Sequence, residues 1–308
     1  MGKVILNDTT LTSIADAIRN KNGETNTYLP SEMPQKILNI QSGGGGYNVE
    51  FAYANGDSTL VDKFNTEFDE NVTYNLKNFL SKYRYYSEPV TNGKKIKISN
   101  ANSMFYFGTK GMTTTYNFDV SGFDMSKCFD ISHMFRECSA MNNIIGYENW
   151  DTKNIRELTY LFYSCSNIKE LDLSNWNLDN LITISDSNFD YCSSLTKLIL
   201  PDLPKISSTS IFSGDSLRIP ALSDFRFKDG CTFCRDMKSD VSLNLTCIWQ
   251  GKTDKIKGCY ENFANSIGEN TTAYTRTIKL YTTLYNSLTD AQKALLTDKG
   301  YTITYGTS

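Results

Sequence analysis

The sequence predicts an α/β repeat protein: a leucine-rich-repeat solenoid, strand plus short helix per coil, with a small N-terminal helical module in front of it. Three spacings predict it. Cysteine recurs every 27 residues, at Cys138, Cys165 and Cys192, and each follows a phenylalanine by three places, at Phe135, Phe162 and Phe189. Ile144, Leu171 and Leu198 repeat the same 27-residue interval, and Trp150 and Trp176 mark the ends of consecutive units. One unit of this size cannot bury its apolar face alone, so neighbours are expected to stack around a shared core.

Inside the middle unit, Leu171 and Leu173 alternate with Glu170, Asp172 and Ser174, the period-2 pattern of a short strand with one buried face. Upstream, Ile155, Leu158 and Phe162 follow helical spacing, which predicts a short helix or helical turn in each coil. The cysteine then falls in the turn from helix to strand. A free thiol there packs as a small hydrophobe. The competing readings are a disulfide ladder, since stacked coils lie about 5 Å apart, and a metal site. Three cysteines cannot pair completely.

Five segments are expected along the chain. Residues 1–42 form a helical anchor module: Leu11, Ile14 and Ile18 share one helical face after Asp8, Thr9 and Thr10, and Ile37 and Leu38 belong to a second short helix capped by Ser31. So few apolar side chains bury too little surface for independent stability. Anchoring or oligomerisation is therefore expected of this module, against a hairpin folded back on the repeats. A glycine linker follows at 43–46. Residues 47–94 read as an N-terminal cap, with "YNVEFAY" a strand and "NVTYNLKNFLSKY" a helix. The solenoid covers 95–230, where Met104-Phe105 takes the place of Met134-Phe135, and its regularity fades after Cys192. Residues 231–308 read as irregular C-terminal repeats and a cap, with a last helix started by Thr289 or Asp290 and stopped by Gly300.

Composition narrows the function. With 31 basic and 34 acidic residues the net charge is −3, which leaves no electrostatic footprint for nucleic acid. A single histidine, His133, gives imidazole or metal catalysis little material. It is expected to be a structural side chain. The opening shows no apolar stretch after a basic start, hence no signal peptide, and no run approaches the roughly 20 apolar residues that span a bilayer. Synthesis in the cytoplasm without membrane insertion is expected, with release by a route such as lysis. "CTFC" at Cys231 to Cys234, with Cys247 and Cys259, loosely resembles zinc ligands but supplies one C-x-x-C knuckle where a ribbon needs two. Gly43 to Gly46 lacks the lysine and Ser/Thr of a phosphate loop. No catalytic constellation and no cofactor are expected.

The 27-residue units, the strings "DLSNW" and F-x-x-C-S-S-L, and the closing "LTDAQKALLTDKGYTIT" resemble BspA-like leucine-rich-repeat proteins over roughly residues 95–308. The opening "LTSIADAIRNKNGETNTYLPSEMPQKILNI" is similar to a short module of tail, fibre and baseplate proteins in bacteriophages of Gram-positive and gut bacteria. Together they resemble a phage tail-fibre or receptor-binding protein. The resemblance implies a non-enzymatic virion component, homo-oligomeric, joined to tail or baseplate proteins through residues 1–42 and facing a host cell-surface glycan or protein. A bacterial or parasite cell-surface adhesin is the alternative, though such adhesins typically carry an export signal. A glycan-depolymerising tail enzyme, needing two carboxylates about 5–10 Å apart, is the third.

Candidate binding residues follow from stacking the strands. Asn143, Glu170 and Lys197 would form one column of the sheet face, and Ile145, Asp172 and Ile199 the next. Glu170 and Lys197 would be cross-strand neighbours worth under about 1 kcal/mol, so the face reads either as a solvated surface with compensating charges or as an ordered polar array for a ligand. Tyr85, Tyr86 and Tyr106 are candidates to stack sugar rings or to make a protein contact.

Overall fold

A computed structural model describes residues 46–54, 61–69, 71–79, 84–85, 94–106, 115–185, 187–205, 219–249 and 255–307. The 1–42 module, with Leu11, Ile14, Ile18, Ile37 and Leu38, lies outside the described residues, as does Tyr86.

Strands in this chain are short because the sequence ends them. Asp119, Asp124, Asp130 and Asp172 each stand two residues before a serine whose backbone N–H donates to the aspartate Oδ1 at 2.8–3.0 Å. That side-chain turn offers the backbone a local partner and bends it out of the ladder.

The first strands, β1 (Gly46–Ala54) and β2 (Val61–Asp69), form an antiparallel hairpin, Gly46 opposite Asp69 and Ala54 opposite Val61. After β3 (Thr73–Asn75), β4 (Arg84–Tyr85) pairs antiparallel with β1. The chain continues through β5 (Ile96–Asn100), β6 (Tyr116–Asp119), β7 (Phe123–Asp124), β8 (Met141–Ile145), β9 (Glu157–Leu158), β10 (Glu170–Asp172), β11 (Thr183–Ile184), β12 (Lys197–Leu200) and β13 (Asp224–Phe227). All their pairings are parallel: β3-β5-β7, β6-β8, β9-β11 and β10-β12-β13. Leu171 lies opposite Leu198, and Leu198 opposite Phe225, so one turn of the coil consumes one repeat. The last sheet, β14 (Val241–Asn244), β15 (Arg276–Tyr281) and β16 (Thr302–Gly306), is also parallel.

The chain is not the α/β leucine-rich-repeat solenoid that its spacing predicts. Short strands in small, separate parallel sheets dominate. Among the described residues the α-helices are confined to the C-terminal part, at α1 (Thr246–Trp249), α2 (Lys255–Ser266), α3 (Thr282–Ser287) and α4 (Asp290–Thr297). Where Ile155, Leu158 and Phe162 predict a helix, the chain forms β9 and a run of turns, and within "NVTYNLKNFLSKY" it forms β3 and a turn.

Backbone signs explain the missing helix. Ser103, His133 and Tyr160 have φ of 55°, 59° and 53°, and Glu137, Ser164 and Tyr191 have 61°, 62° and 61°. A helix needs φ near −63°, so left-handed residues four apart forbid it. The corner is built of successive tight turns instead: Met134, Arg136 and Cys138 donate their N–H to the carbonyls of Ile131, His133 and Phe135. The N–H groups between them go to the next coil, from Ile131, His133, Phe135 and Glu137 to the carbonyls of Glu157, Thr159, Leu161 and Tyr163, at 2.7–3.4 Å. Backbone donors are thereby satisfied without regular structure. The buried side chains of the corner nevertheless recur at spacings of three, as at Ile155, Leu158 and Leu161, which is why it imitates a helix in the sequence.

Inside the corner, Phe105, Phe135, Phe162 and Phe189 stack coil upon coil, with centroids 5.8, 5.7 and 6.0 Å apart and rings within 19° of parallel. Trp150 and Trp176 stack likewise at 5.9 Å. The thiols complete the column: Cys138, Cys165 and Cys192 donate from Sγ to the carbonyls of Phe105, Phe135 and Phe162, in the preceding coil, at 3.2, 3.0 and 3.1 Å. Each of the three side chains is fully buried. Asn188 stands where the earlier coils have Met134 and Leu161. Its buried amide is fully used, donating to the carbonyls of Leu158 and Ser185 and accepting from Leu161 N–H.

At the C-terminal end Thr289 caps α4 in a reciprocal box with Gln292, and Gly300 follows at φ 82°. Lys299 donates to the carbonyls of Ala264, Asn265 and Ile267 at the end of α2. Buried Arg276 donates to those of Cys234, Met237 and Ser239.

Two outcomes follow from the column. Phe162→Ala removes a ring stacked on both sides and should cost about 3–5 kcal/mol of stability, read as a lower denaturation midpoint in the emission of Trp150 and Trp176. Burial pushes the Cys192 thiol up to about 12 and that of Cys165 well above its ordinary value. A thiolate-selective reagent at neutral pH should therefore leave both unlabelled in the folded chain and label both in denaturant; rapid labelling of the folded chain would contradict the buried column.

Candidate functional site

The outer side of the turn corner carries a row of aromatic rings around one guanidinium. Alternation places it there: Phe105, Phe135 and Phe162 point into the core, while the residues immediately after them, Tyr106, Arg136 and Tyr163, are half-buried at the surface. The left-handed positions add His133, Tyr160 and Tyr191. Positive φ turns those side chains away from the stacked interior, and Tyr191 is 44% exposed.

The contacts run across four coils. The Arg136 guanidinium lies 5.2, 5.1 and 4.9 Å from the ring centroids of Tyr106, Tyr160 and Tyr163, each contact worth about 0.5–1 kcal/mol when partly solvated. His133 stacks on Tyr160 at 5.1 Å with an 8° interplanar angle. Tyr160 leans on Tyr163 at 5.6 Å, and Tyr163 meets Tyr191 edge-on at 5.3 Å. Arg136 Nη1 sits 3.3 Å from His133 Nδ1, and Arg136 Nε 3.7 Å from Glu137 Oε1. Burial, and next the neighbouring Arg136 charge, hold the His133 pKa below the usual imidazole value, while Asp130 opposes them. A neutral ring can accept the Arg136 hydrogen bond at Nδ1.

Of the residues that the sequence singles out, Tyr106 belongs to this row. Tyr85 sits in β4 opposite Tyr53, in the antiparallel sheet. Glu170 and Lys197 lie opposite each other in β10 and β12, with Lys197 Nζ 3.8 Å from Glu170 Oε2 and the two side chains 34% and 66% exposed, a solvated pair of little energy. Asp172 faces Ile199; its Oδ1 is committed to Ser174 N–H and its own N–H to Tyr147 Oη. Asn143 departs from the expected column. It lies in β8 opposite Asn117 of β6, in a different sheet from Glu170.

Arg136, Tyr160, Tyr163 and Tyr191 were not legible as a group from composition. The signal that finds them is the phase of the repeat: the position two before each Phe (His133, Tyr160), the position after it (Tyr106, Arg136, Tyr163) and the position two after it (Tyr191) line up, coil on coil, once the corner is known to be turns. On another face, a groove of about 440 Å³ is lined by Arg156, Asn180, Leu181, Ile182, Lys205 and Met237. It offers cations and an aliphatic floor but no ring face.

The cysteines of the C-terminal part are buried at Cys231, Cys234 and Cys259. Burial raises the thiol pKa of Cys231 and takes that of Cys234 up to about 12. Among the described residues no group of three or more His, Cys, Asp or Glu side chains is placed to hold a metal ion. No helix among them is long and apolar enough to cross a membrane.

Residues 74–200 match the family described as DUF285, a Mycoplasma protein of unknown function. The matched segment contains the whole aromatic row. Comparison with curated proteins returns no match. Comparison with solved structures returns none either.

The histidine gives the row a pH dependence. Because its folded pKa is depressed, the unfolded chain takes up the proton first, so stability from this neighbourhood is complete above the ordinary value of 6.5 and is lost as pH falls below it. The thermal midpoint should drop over that window, and His133→Gln should flatten the drop; an identical slope in both proteins would refute the assignment.

Proposed function

We propose that this protein is a non-enzymatic recognition subunit of a bacteriophage virion, a tail-fibre or baseplate-associated receptor-binding protein that attaches through residues 1–42 and presents its coil stack to the host surface. The observation that carries the recognition half is the row from Tyr106 to Tyr191: ring faces and one cation held on four backbone-locked coils. Large rings of limited rotamer freedom, fixed on a rigid scaffold, lose little entropy on binding. The virion half is supported by the similarity of residues 1–42 to a tail and baseplate module.

A second reading is a cell-surface adhesin; residues 74–200 match a family described from Mycoplasma, whose function is unknown, which is compatible with a bacterial one. The same row would serve it. The two readings differ in what residues 1–42 hold.

Particles assembled with a chain lacking residues 1–42 should contain none of it, and normal incorporation would remove the virion reading. In parallel, labelled full-length protein should adhere to host cells. The double variant Tyr160→Ala/Tyr163→Ala should bind at least about tenfold more weakly, as expected for a central aromatic anchor, while its circular dichroism stays that of the parent. Undiminished adhesion would show that the row is not the contact surface.

A further inference from the structure

We infer that the groove lined by Arg156, Ile182, Lys205 and Met237 binds a small aliphatic anion, one molecule at a time, its chain on the apolar floor and its charged head at the two cations. This site is separate from the aromatic row and goes beyond the recognition reading.

Charge is the first argument. Three carboxylates border the groove in the sequence: Asp179 beside Asn180, Asp236 beside Met237, and Asp202 shortly before Lys205. All three turn to Arg235, which pairs with Asp202 at 2.8 Å, Asp179 at 3.4 Å and Asp236 at 3.8 Å. Arg156 and Lys205, both exposed, are left without an ion pair among the described residues. Two uncompensated cations thus share one concavity, and both form charge-assisted hydrogen bonds to an anionic head. A net charge of −3 gives the chain no general pull on anions, so the excess is local to the groove.

Shape is the second. Ile182 is 69% exposed, more than any other large hydrophobic side chain among the described residues. It belongs to a column that crosses successive coils: Arg156 N–H donates to the Phe129 carbonyl and Ile182 N–H to the Arg156 carbonyl, each at 2.8 Å. Phe129 is exposed too, so the column leaves apolar surface in water on both sides of Arg156. The facing wall is fixed as well. Asp236 N–H donates to the Pro204 carbonyl at 3.0 Å, which ties the Met237 turn to the segment before Lys205, and Arg276 Nη2 donates to the Met237 carbonyl at 2.9 Å. An aliphatic chain laid on Ile182 and Met237 takes their surface out of water, and the flexible thioether adapts to its outline. A volume of about 440 Å³ suits a small ligand, whereas a protein partner needs about 800 Å² of contact on each side. With no aromatic ring in the lining, nothing there stacks on a nucleobase or a sugar.

The test is calorimetry of the full-length chain with octanoate, decanoate and dodecanoate, each below its micelle concentration. A single molecule should bind, and affinity should rise about two- to fourfold for each added methylene. Decanol, which keeps the chain, and acetate, which keeps the charge, should each bind at least about tenfold more weakly than decanoate. Arg156→Gln/Lys205→Ala should weaken decanoate binding about tenfold, and Ile182→Ser should flatten the dependence on chain length. These side chains are exposed, so circular dichroism should stay that of the parent. Undiminished decanoate binding by the double variant would overturn the site, and decanol binding as tightly as decanoate would overturn the anionic class. Binding to vesicles of anionic phospholipid, with none to monomeric decanoate, would replace the single-molecule site by a membrane contact and overturn the proposal. None of these outcomes involves adhesion to cells or the tyrosine variants, so failure here leaves the recognition reading standing.

Discussion

Every second backbone N–H in the turn corner is given to the neighbouring coil, and the rest of this structure depends on that division. The donors of Ile131, His133, Phe135 and Glu137 reach across, while those of Met134, Arg136 and Cys138 close turns within their own coil. Such alternation requires left-handed residues at fixed places, occupied here by histidine, tyrosine, glutamate and serine rather than glycine. Their conformational cost, on the order of 1–3 kcal/mol each, is offset only because the neighbouring coil accepts the bonds. A coil without neighbours would have no reason to adopt this corner.

The same division decides what faces inward. With the phenylalanine ring fixed on the core side, its carbonyl accepts the N–H of the cysteine three residues on and the thiol of the cysteine one coil further, as Phe135 does from Cys138 and Cys165. Both lone pairs of a buried carbonyl are then used. Cysteine suits this place because it is small, apolar and still a donor, and desolvation keeps it protonated. The column is thus one of packing and hydrogen bonding together. Loss of a ring disturbs the seat of the thiol above it.

It also decides what faces outward. The residues that follow buried Phe105, Phe135 and Phe162 all come to the surface, so unlike residues, Tyr106, Arg136 and Tyr163, become spatial neighbours at contact distance. No strand or helix holds them. Their rigidity derives from the ladder beneath, which makes an irregular corner as exact a platform as a sheet. The row's one imidazole, His133, has its pKa held below the ordinary value by burial and by the arginine beside it.

The sequence by itself determined the period, since a side chain that must be buried in every coil returns at every coil, and the 27-residue spacing of Phe and Cys is the spacing at which Leu171, Leu198 and Phe225 lie opposite one another. It determined the last helix through Thr289 and Gly300, because caps act within a few residues. The secondary structure of the coil was not legible: apolar residues three and four apart mark a helix only if every φ is negative, and nothing in the letters of His133, Tyr160 or Glu137 announces a positive one. Nor was the partnership of Asn143, which the letters assign to the column of Glu170 and the backbone gives to β6. Only the tertiary structure decided that Arg136 has three tyrosines around it, because those rings come from coils separated by a full repeat and meet through hydrogen bonds that no local pattern encodes.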